Sequence, residues 1–271
     1  MNWLQCVLYG VTSGLSEFIP VSSKAHQALL QNLFGLDGSD ALLNVIIHLA
    51  VLLSLITGCR NILEQIKRDS KLPRITRHRH GSFRNNLDLR FVKSGAIPLI
   101  TGLVIFTYIS NAFQSMAFVA LFLLLNGILL FVPCRMLQGN KDARSMSGLD
   151  AIFVGLFGAL SAFPGLSRIG MMTSVSLARG ADRQHALNWA LLLNMPALAL
   201  LTFIDLLIII AGAQTFKFTV FFCYILAGLG AYIGGYFGIL IMKFRSIKAG
   251  FTGFAYYSWG AALFAFILYL I

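Results

Sequence analysis

Charge is what this sequence has least of. Only 11% of its 271 residues are Asp, Glu, Lys or Arg, against about 25% in an ordinary soluble domain. A soluble protein of this length could bury a sizeable core, but it could not cover its surface with so few charges. Acid is scarcer than base: ten Asp and Glu stand against 21 Lys and Arg, and only two of the ten are glutamates, Glu17 and Glu64. The four cysteines, Cys6, Cys59, Cys134 and Cys223, lie scattered in or beside apolar segments without C-x-x-C or Cys/His spacing. Neither a disulfide framework nor a zinc site is indicated. No Lys or Arg precedes Lys24, so the basic n-region of a signal peptide is missing and Met1 is expected on the mature chain. These absences exclude a soluble enzyme, a disordered chain and a fibrous one. With 58% of the residues hydrophobic, a polytopic, all-α membrane protein remains.

Six apolar stretches, roughly 41–58, 94–112, 116–134, 186–211, 218–241 and 249–270, are long enough to cross about 30 Å of hydrocarbon. Two other apolar regions, about 1–35 and 151–178, are each broken near the middle by proline among small and hydroxylated residues, at Ser16–Ser23 and Ser161–Arg168. Proline interrupts a helix, and neighbouring hydroxyls satisfy the freed backbone groups. Both regions are therefore read as re-entrant helix pairs. Counting crossings places eighteen of the 21 basic residues on one side, ten of them in the loop 60–93. The positive-inside rule makes that side cytoplasmic and turns both termini outward. The basic loop, with its Arg77–His80 cluster, is accordingly a topology determinant against anionic headgroups and not a nucleic-acid site.

The two broken regions align without a gap at an offset of 145 residues, with Gly10/Gly155, Leu15/Leu160, Ser16/Ser161, Phe18/Phe163 and Ser22/Ser167 identical. Each opens a half with three spans, 1–134 and 151–271, within a single integral-membrane domain. An odd number of crossings between them makes the second half an inverted copy. Such repeats place a binding site where the breaks meet.

The chemistry at the breaks is a carboxylate (Glu17), hydroxyls (Ser22, Ser23, Ser167), an imidazole (His26) and a guanidinium (Arg168). An ionisable group inside a membrane is a functional candidate by default. Pro20 suits the first position of a new helix, which puts Ser22 and Ser23 in its first turn and His26 on their face. A helix N-terminus suits a phosphate, and Arg clamps one bidentately. Base, nucleophile and charge stabilisation are the requirements of phosphate-ester hydrolysis. His48 and Asp205 lie within other spans, each alone, and are read as structural hydrogen-bonding groups.

The stretch from Gly10 to His26, G-V-T-S-G-L-S-E-F-I-P-V-S-S-K-A-H, resembles the first signature of the bacterial undecaprenyl-diphosphate phosphatases of the bacitracin-resistance type, approximately G-x-x-E-G-L-T-E-F-L-P-V-S-S-T-G-H. Pro164–Gly170 resembles the second, P-G-x-S-R-S-G-x-T. The resemblance, which covers nearly the whole chain, implies an enzyme of the bacterial plasma membrane that removes the terminal phosphate of a C55 isoprenoid diphosphate. The monophosphate carrier of cell-wall precursors is thereby recycled. The implied site opens outward, and Mg²⁺ or Ca²⁺ is the implied cofactor. By matching position, Glu17 and His26 would handle protons and Ser23 would be nucleophile or phosphate ligand. Arg168 would clamp the phosphoryl group, with Ser22, Lys24, Ser167, Gly170 and Thr173 as substrate-binding residues. Several positions depart from the pattern. Ser13 stands for its first glutamate, Lys24-Ala25 for Thr-Gly and Ile169 for a serine; Met172 takes a threonine position, with Thr173 one residue late, and Asn188 replaces a glutamate. Ser13 removes an oxygen ligand that a hard cation wants, and Lys24 adds an ammonium near the phosphates. The expected partners are the polyprenyl diphosphate and the bilayer. The alternative is a catalytically weakened homologue that binds or transports a polyprenyl phosphate.

Overall fold

The computed structural model describes residues 2–36, 40–71, 82–136, 139–142, 145–212, 218–248 and 250–271, without the side chains of 69–71, 82–88, 218–220 and 247–248. Among these residues the chain is all-α, with no strand longer than a single bridge. The helices are α1 (Trp3–Phe18), α2 (Ser23–Phe34), α3 (Ala41–Gly58), α4 (Arg60–Lys71), α5 (Ser82–Ser110) and α6 (Met116–Arg135). After them come α7 (Gly148–Ala159), α8 (Arg168–Ala178), α9 (Arg183–Ile210), α10 (Phe218–Lys248) and α11 (Thr252–Leu270). Six of them, α3, α5, α6, α9, α10 and α11, are long and apolar enough to cross a membrane. They coincide with the six expected stretches, α3 residue for residue. Their outer faces keep large apolar side chains exposed, such as Leu121, Leu124, Leu125 and Ile128 along α6. A water-facing surface would not tolerate that stripe.

The broken regions form the pairs α1–α2 and α7–α8, whose helices are too short to be spans. Packing partners exchange between the halves: α1 lies against α10 and α7 against α5, while α3 packs on α9 and α6 on α11. Lipid offers no hydrophobic drive between helices, so close approach depends on small residues. Gly10 and Gly14 supply it on α1, where an added Cβ would lie 2.0 Å from the carbonyl oxygens of Ala227 and Ala231. Gly10→Ala must push α1 off α10, and such overpacking costs about 1–3 kcal/mol. We expect it to lower the thermal midpoint in detergent, measured by light scattering. Gly260→Ala on α11 has nothing within 4 Å and should leave the midpoint unchanged or raise it, since Ala is the better helix former.

Three local expectations are corrected. The segment 60–93 is not simply a loop, because α4 and the first turns of α5 occupy most of it. In α4, Arg60 and Arg68 bracket Glu64 at helical spacing, while Ile62, Leu63 and Ile66 turn the other way, half-buried. That amphipathic pattern is sufficient for a helix lying beside α5. The Arg77–His80 cluster lies outside the described residues. Pro20 does not begin α2; it sits in the turn, and Ser22 is the N-cap, its hydroxyl accepting from the Ala25 amide at 3.3 Å. Serine is a favoured N-cap, and one hydroxyl there satisfies an orphan amide. His48 and Asp205 do not stand alone either: Nδ1 of His48 lies 2.9 Å from Oδ2 of Asp205, joining α3 to α9.

Candidate active site

The site is built on the two turns that break the helix pairs. Ser22 is the only non-glycine residue with positive φ among the described residues, at φ 70°. Such a backbone is costly for an L-residue and marks places where the surroundings over-determine it. Ser22 is over-determined from both sides, for its hydroxyl also accepts from the Gly165 amide of the second turn, at 3.1 Å. Gly165 has φ +122°, and a Cβ there would meet Phe122 at 2.5 Å, so only glycine fits. In the second turn Ser167 is the N-cap of α8 and accepts from the Gly170 amide at 3.1 Å. Ser22 and Ser167, matched at the 145-residue offset, thus hold the same position at the start of α2 and α8.

Asn126 of α6 fastens the turns together. It is fully buried, and its Nδ2 donates to the Pro20 carbonyl at 2.9 Å and to Ser258 Oγ at 3.1 Å. Its Oδ1 accepts from the Ser167 amide at 2.9 Å. One amide side chain therefore satisfies a backbone group of each turn.

Charge gathers where the turns meet. Nη1 of Arg168, at the start of α8, donates to Oε1 of Glu17 at 3.0 Å and to Oδ1 of Asn194 at 2.7 Å. Nε donates to Ser161 Oγ at 3.1 Å. The pair is nearly enclosed, with 6% of the Arg168 side chain and 12% of Glu17 exposed. Asn194 Nδ2 donates weakly to the same carboxylate oxygen, at 3.4 Å. The Lys24 ammonium donates to the carbonyl of Ala162 at 2.8 Å. Two cations, one from each turn, therefore dock on the adjacent residues Ser161 and Ala162. Nη2 of Arg168 and two of the Lys24 ammonium protons have no protein partner among the described residues.

The hydroxyls differ in what they have free. Ser22 Oγ accepts two amide protons, which ties up its lone pairs. Ser23 Oγ only donates, to the Ser13 carbonyl at 3.3 Å, and keeps its lone pairs. Thr173 folds back onto its own helix, donating to the Ile169 and Gly170 carbonyls. Gly170 packs its Cα side against Pro20 of the other turn. His26 Nδ1 lies 2.8 Å from the Ser22 carbonyl, and Nε2 lies 2.8 Å from the Tyr257 hydroxyl. A carbonyl only accepts, so Nδ1 carries a proton; burial disfavours the imidazolium, which leaves Nε2 to accept from the Tyr257 hydroxyl. Ser23 and His26 share α2 but no hydrogen bond joins them, nor does His26 bond Glu17 or Arg168. The imidazole instead lines a cavity of about 600 Å³ with Val11, Leu15, Ile19, Phe254 and Tyr257, and Arg245 closes its wall.

Asn126, Asn194 and Tyr257 were not singled out from the sequence, and Ser161 was matched to Ser16 without being given a role. Asn126 and Asn194 carried a usable signal, a lone amide inside an apolar run. Such a group must find a partner in the membrane interior, the same rule that singles out Glu17.

The donor set offers a divalent cation few protein ligands. Ca²⁺ takes about six to eight oxygen ligands, and Mg²⁺ about one or two carboxylates together with substrate phosphates and waters. Among the described residues no three His, Cys, Asp or Glu side chains cluster to hold one. One oxygen of Glu17 is already engaged by Arg168 and Asn194, and Ser13 Oγ accepts from Gln27 Nε2 at 3.1 Å.

Fold and site together define a multi-pass, all-α membrane protein whose interlocked broken helix pairs present a carboxylate, two cations, a serine and a histidine. The chain belongs to the family of the bacitracin resistance protein BacA, whose profile matches residues 6–264. It is 31% identical to an undecaprenyl-diphosphatase of Carboxydothermus hydrogenoformans, over 96% of this chain and 94% of that one. It is 30% identical to an undecaprenyl-diphosphatase of Methanobrevibacter smithii, over 98% of each. One from Thermosipho africanus is 29% identical over 97% of this chain and 98% of its own.

Proposed function

We propose that this chain hydrolyses undecaprenyl diphosphate to the monophosphate, recycling the lipid carrier of cell-wall synthesis and so supporting bacitracin resistance. The observation that carries this reading is the ion pair between Glu17 and Arg168, 151 residues apart, with Ser23 and His26 in the first turn of the adjoining helix. The free Nη2 of Arg168 faces the developing charge on the transferring phosphoryl group, and fixed donors in a low-dielectric site are the strongest source of such stabilisation. Ser23, with its lone pairs free, attacks phosphorus or ligates it. Glu17 and His26 move protons, the fixed Nδ1–H of His26 leaving Nε2 as its basic atom. Ser22, Ser167 and Gly170 hold the helix starts against the phosphates. The apolar cavity beside His26 takes the first isoprene units, and the rest of the chain lies in lipid.

The orientation we propose puts the basic segments in the cytoplasm of a bacterium, with the termini and the site opening outward. It rests on the count of crossings, which puts eighteen of the 21 basic residues on one side. The matched N-caps Ser22 and Ser167 and the exchanged packing partners of α1 and α7 support reading 1–134 and 151–271 as inverted repeats.

The test is phosphate release from undecaprenyl diphosphate by the purified full chain in detergent, with Mg²⁺ and Ca²⁺ present. Wild type should release phosphate, and Glu17→Gln and His26→Ala should each do so about 10²-fold more slowly or worse. Lipid binding without release by wild type would show a binding or transport protein instead. Unchanged rates in both variants would remove these residues from the chemistry.

A further inference from the structure

Lys24 and Arg168 come from different helix pairs, yet they dock on consecutive residues of one short turn, Ala162 and Ser161. The turn, Leu160–Ala162, is 3-10 helical, and both of these residues are buried in it. Two cations docked on adjacent buried residues repel one another unless an anion joins them. The protein supplies too little negative charge for that. Glu17 is committed to Arg168 at 3.0 Å, and Lys24 makes no ion pair among the described residues, its one hydrogen bond being to a neutral carbonyl. Asp205, a further carboxylate within the spans, is spent on His48 at 2.9 Å. The cluster of Glu17, Lys24 and Arg168 is thus one positive charge in excess, with ammonium protons to spare.

Position 13 is the second half of the argument. It lies one helical turn before Glu17, on the same face of α1, where a carboxylate would complete a pair of oxygen ligands. Here it is serine, 1% exposed, with its hydroxyl held by Gln27 and its carbonyl by Ser23. Relative to the signature the chain resembles, Glu has become Ser at 13 and Thr has become Lys at 24. Each change makes the site more positive by one charge, and together they equal the charge of one divalent cation. We propose that this chain hydrolyses its polyprenyl diphosphate without a divalent cation, the Lys24 ammonium holding the diphosphate beside Arg168 where the cation would otherwise act. This rests on the phosphatase reading above.

The reaction balances without a metal. The bond from the terminal phosphorus to the bridging oxygen breaks, and that oxygen keeps the electron pair as part of the lipid monophosphate. One water is consumed, its oxygen ending on inorganic phosphate. One of its protons stays there and the other passes to solvent. Lys24 and Arg168 balance the charge that builds on the bridging and terminal oxygens and are themselves unchanged.

The experiment measures phosphate release from undecaprenyl diphosphate by the full chain in detergent, with EDTA and then with excess Mg²⁺ or Ca²⁺. Mn²⁺ binding to the same protein, followed by electron paramagnetic resonance, is the second readout. Wild type should release phosphate at rates equal within about twofold in both conditions and bind no Mn²⁺ at the site. Lys24→Met should lose about 10²-fold in rate with and without cation, the order of loss for a deleted electrostatic contact. The Ser13→Glu, Lys24→Thr double variant should become cation-dependent and acquire a bound Mn²⁺ signal, which also carries the test should Lys24→Met not fold. Wild-type release that EDTA abolishes and Mg²⁺ or Ca²⁺ restores, with Mn²⁺ bound, would overturn the proposal and leave the phosphatase standing. So would a Lys24→Met protein as active as wild type in EDTA. No release by wild type under any condition would overturn the phosphatase reading and this proposal with it.

Discussion

Arg168→Ala should slow phosphate release about 10²–10³-fold, the loss expected when a fixed donor to a developing oxyanion is removed. The same substitution should destabilise the fold. Arg168 is 6% exposed and holds Glu17, Asn194 and Ser161 together. Without it, Glu17 is a nearly enclosed carboxylate that no cation hydrogen-bonds, and breaking a buried pair from one side costs about 3–5 kcal/mol. A lower rate could therefore reflect lost protein, and the design must separate the two. The Glu17→Gln, Arg168→Met double variant removes both charges at once, and replacing a buried pair by groups of similar volume is close to neutral. It should recover most of the thermal midpoint in detergent while its rate stays at the level of Arg168→Ala. Arg168→Lys should also fail, because an ammonium cannot reach Glu17, Asn194 and Ser161 and still present a free edge to phosphate. An Arg168→Ala protein with the wild-type rate would mean that the phosphoryl group binds elsewhere.

Asn126→Leu should also lower the rate strongly, although Asn126 carries no charge and belongs to α6, outside both broken pairs. Leucine keeps the volume but strands the Pro20 carbonyl and the Ser167 amide, which Asn126 holds at 2.9 Å each. Leaving a buried backbone group unpaired costs about 1–3 kcal/mol. The functional loss should be larger than that figure suggests, because Ser167 caps the helix that Arg168 begins. A catalytic group displaced by about 1 Å can lose about 10²-fold in rate. The expected result is a kcat about 10–10²-fold lower with KM little changed, since charge in the site is untouched. Ser258→Ala removes only the third contact of Asn126 and should keep at least half the rate. Asn126→Leu with wild-type kcat would show that the two turns hold their register without it.

Much of this protein could be read before its fold. The six spans follow from length and hydropathy alone. The breaks follow from Pro20 and Pro164, and the 145-residue alignment already paired Ser22 with Ser167, which prove to be the two N-caps. Glu17 and Arg168 were legible because an ion in a membrane needs a reason to be there. Other features were not. Pro20 drew the start of α2 too early, since a serine two residues later caps the helix better than proline opens it. His48 and Asp205 appeared isolated because hydrogen-bond partners 157 residues apart leave no periodic trace. Tyr257 is one of eight tyrosines, and nothing in its flanking residues shows that it faces His26.

By itself, the sequence determined the class of molecule and the chemical inventory: a chain too poor in charge for water, six spans, two interrupted helices, and a carboxylate, hydroxyls, an imidazole and a guanidinium at the interruptions. Those follow from local composition and spacing, which the bilayer reads one segment at a time. Only the tertiary structure decided who meets whom. Arg168 faces Glu17, Lys24 docks one residue from it on the turn Leu160–Ala162, His26 turns to Tyr257, and Asn126 ties both turns. Those pairings depend on how helices from opposite halves pack. Packing in lipid is set by close contact of small residues and by the demand that every buried polar group find a partner, and neither condition is local in sequence.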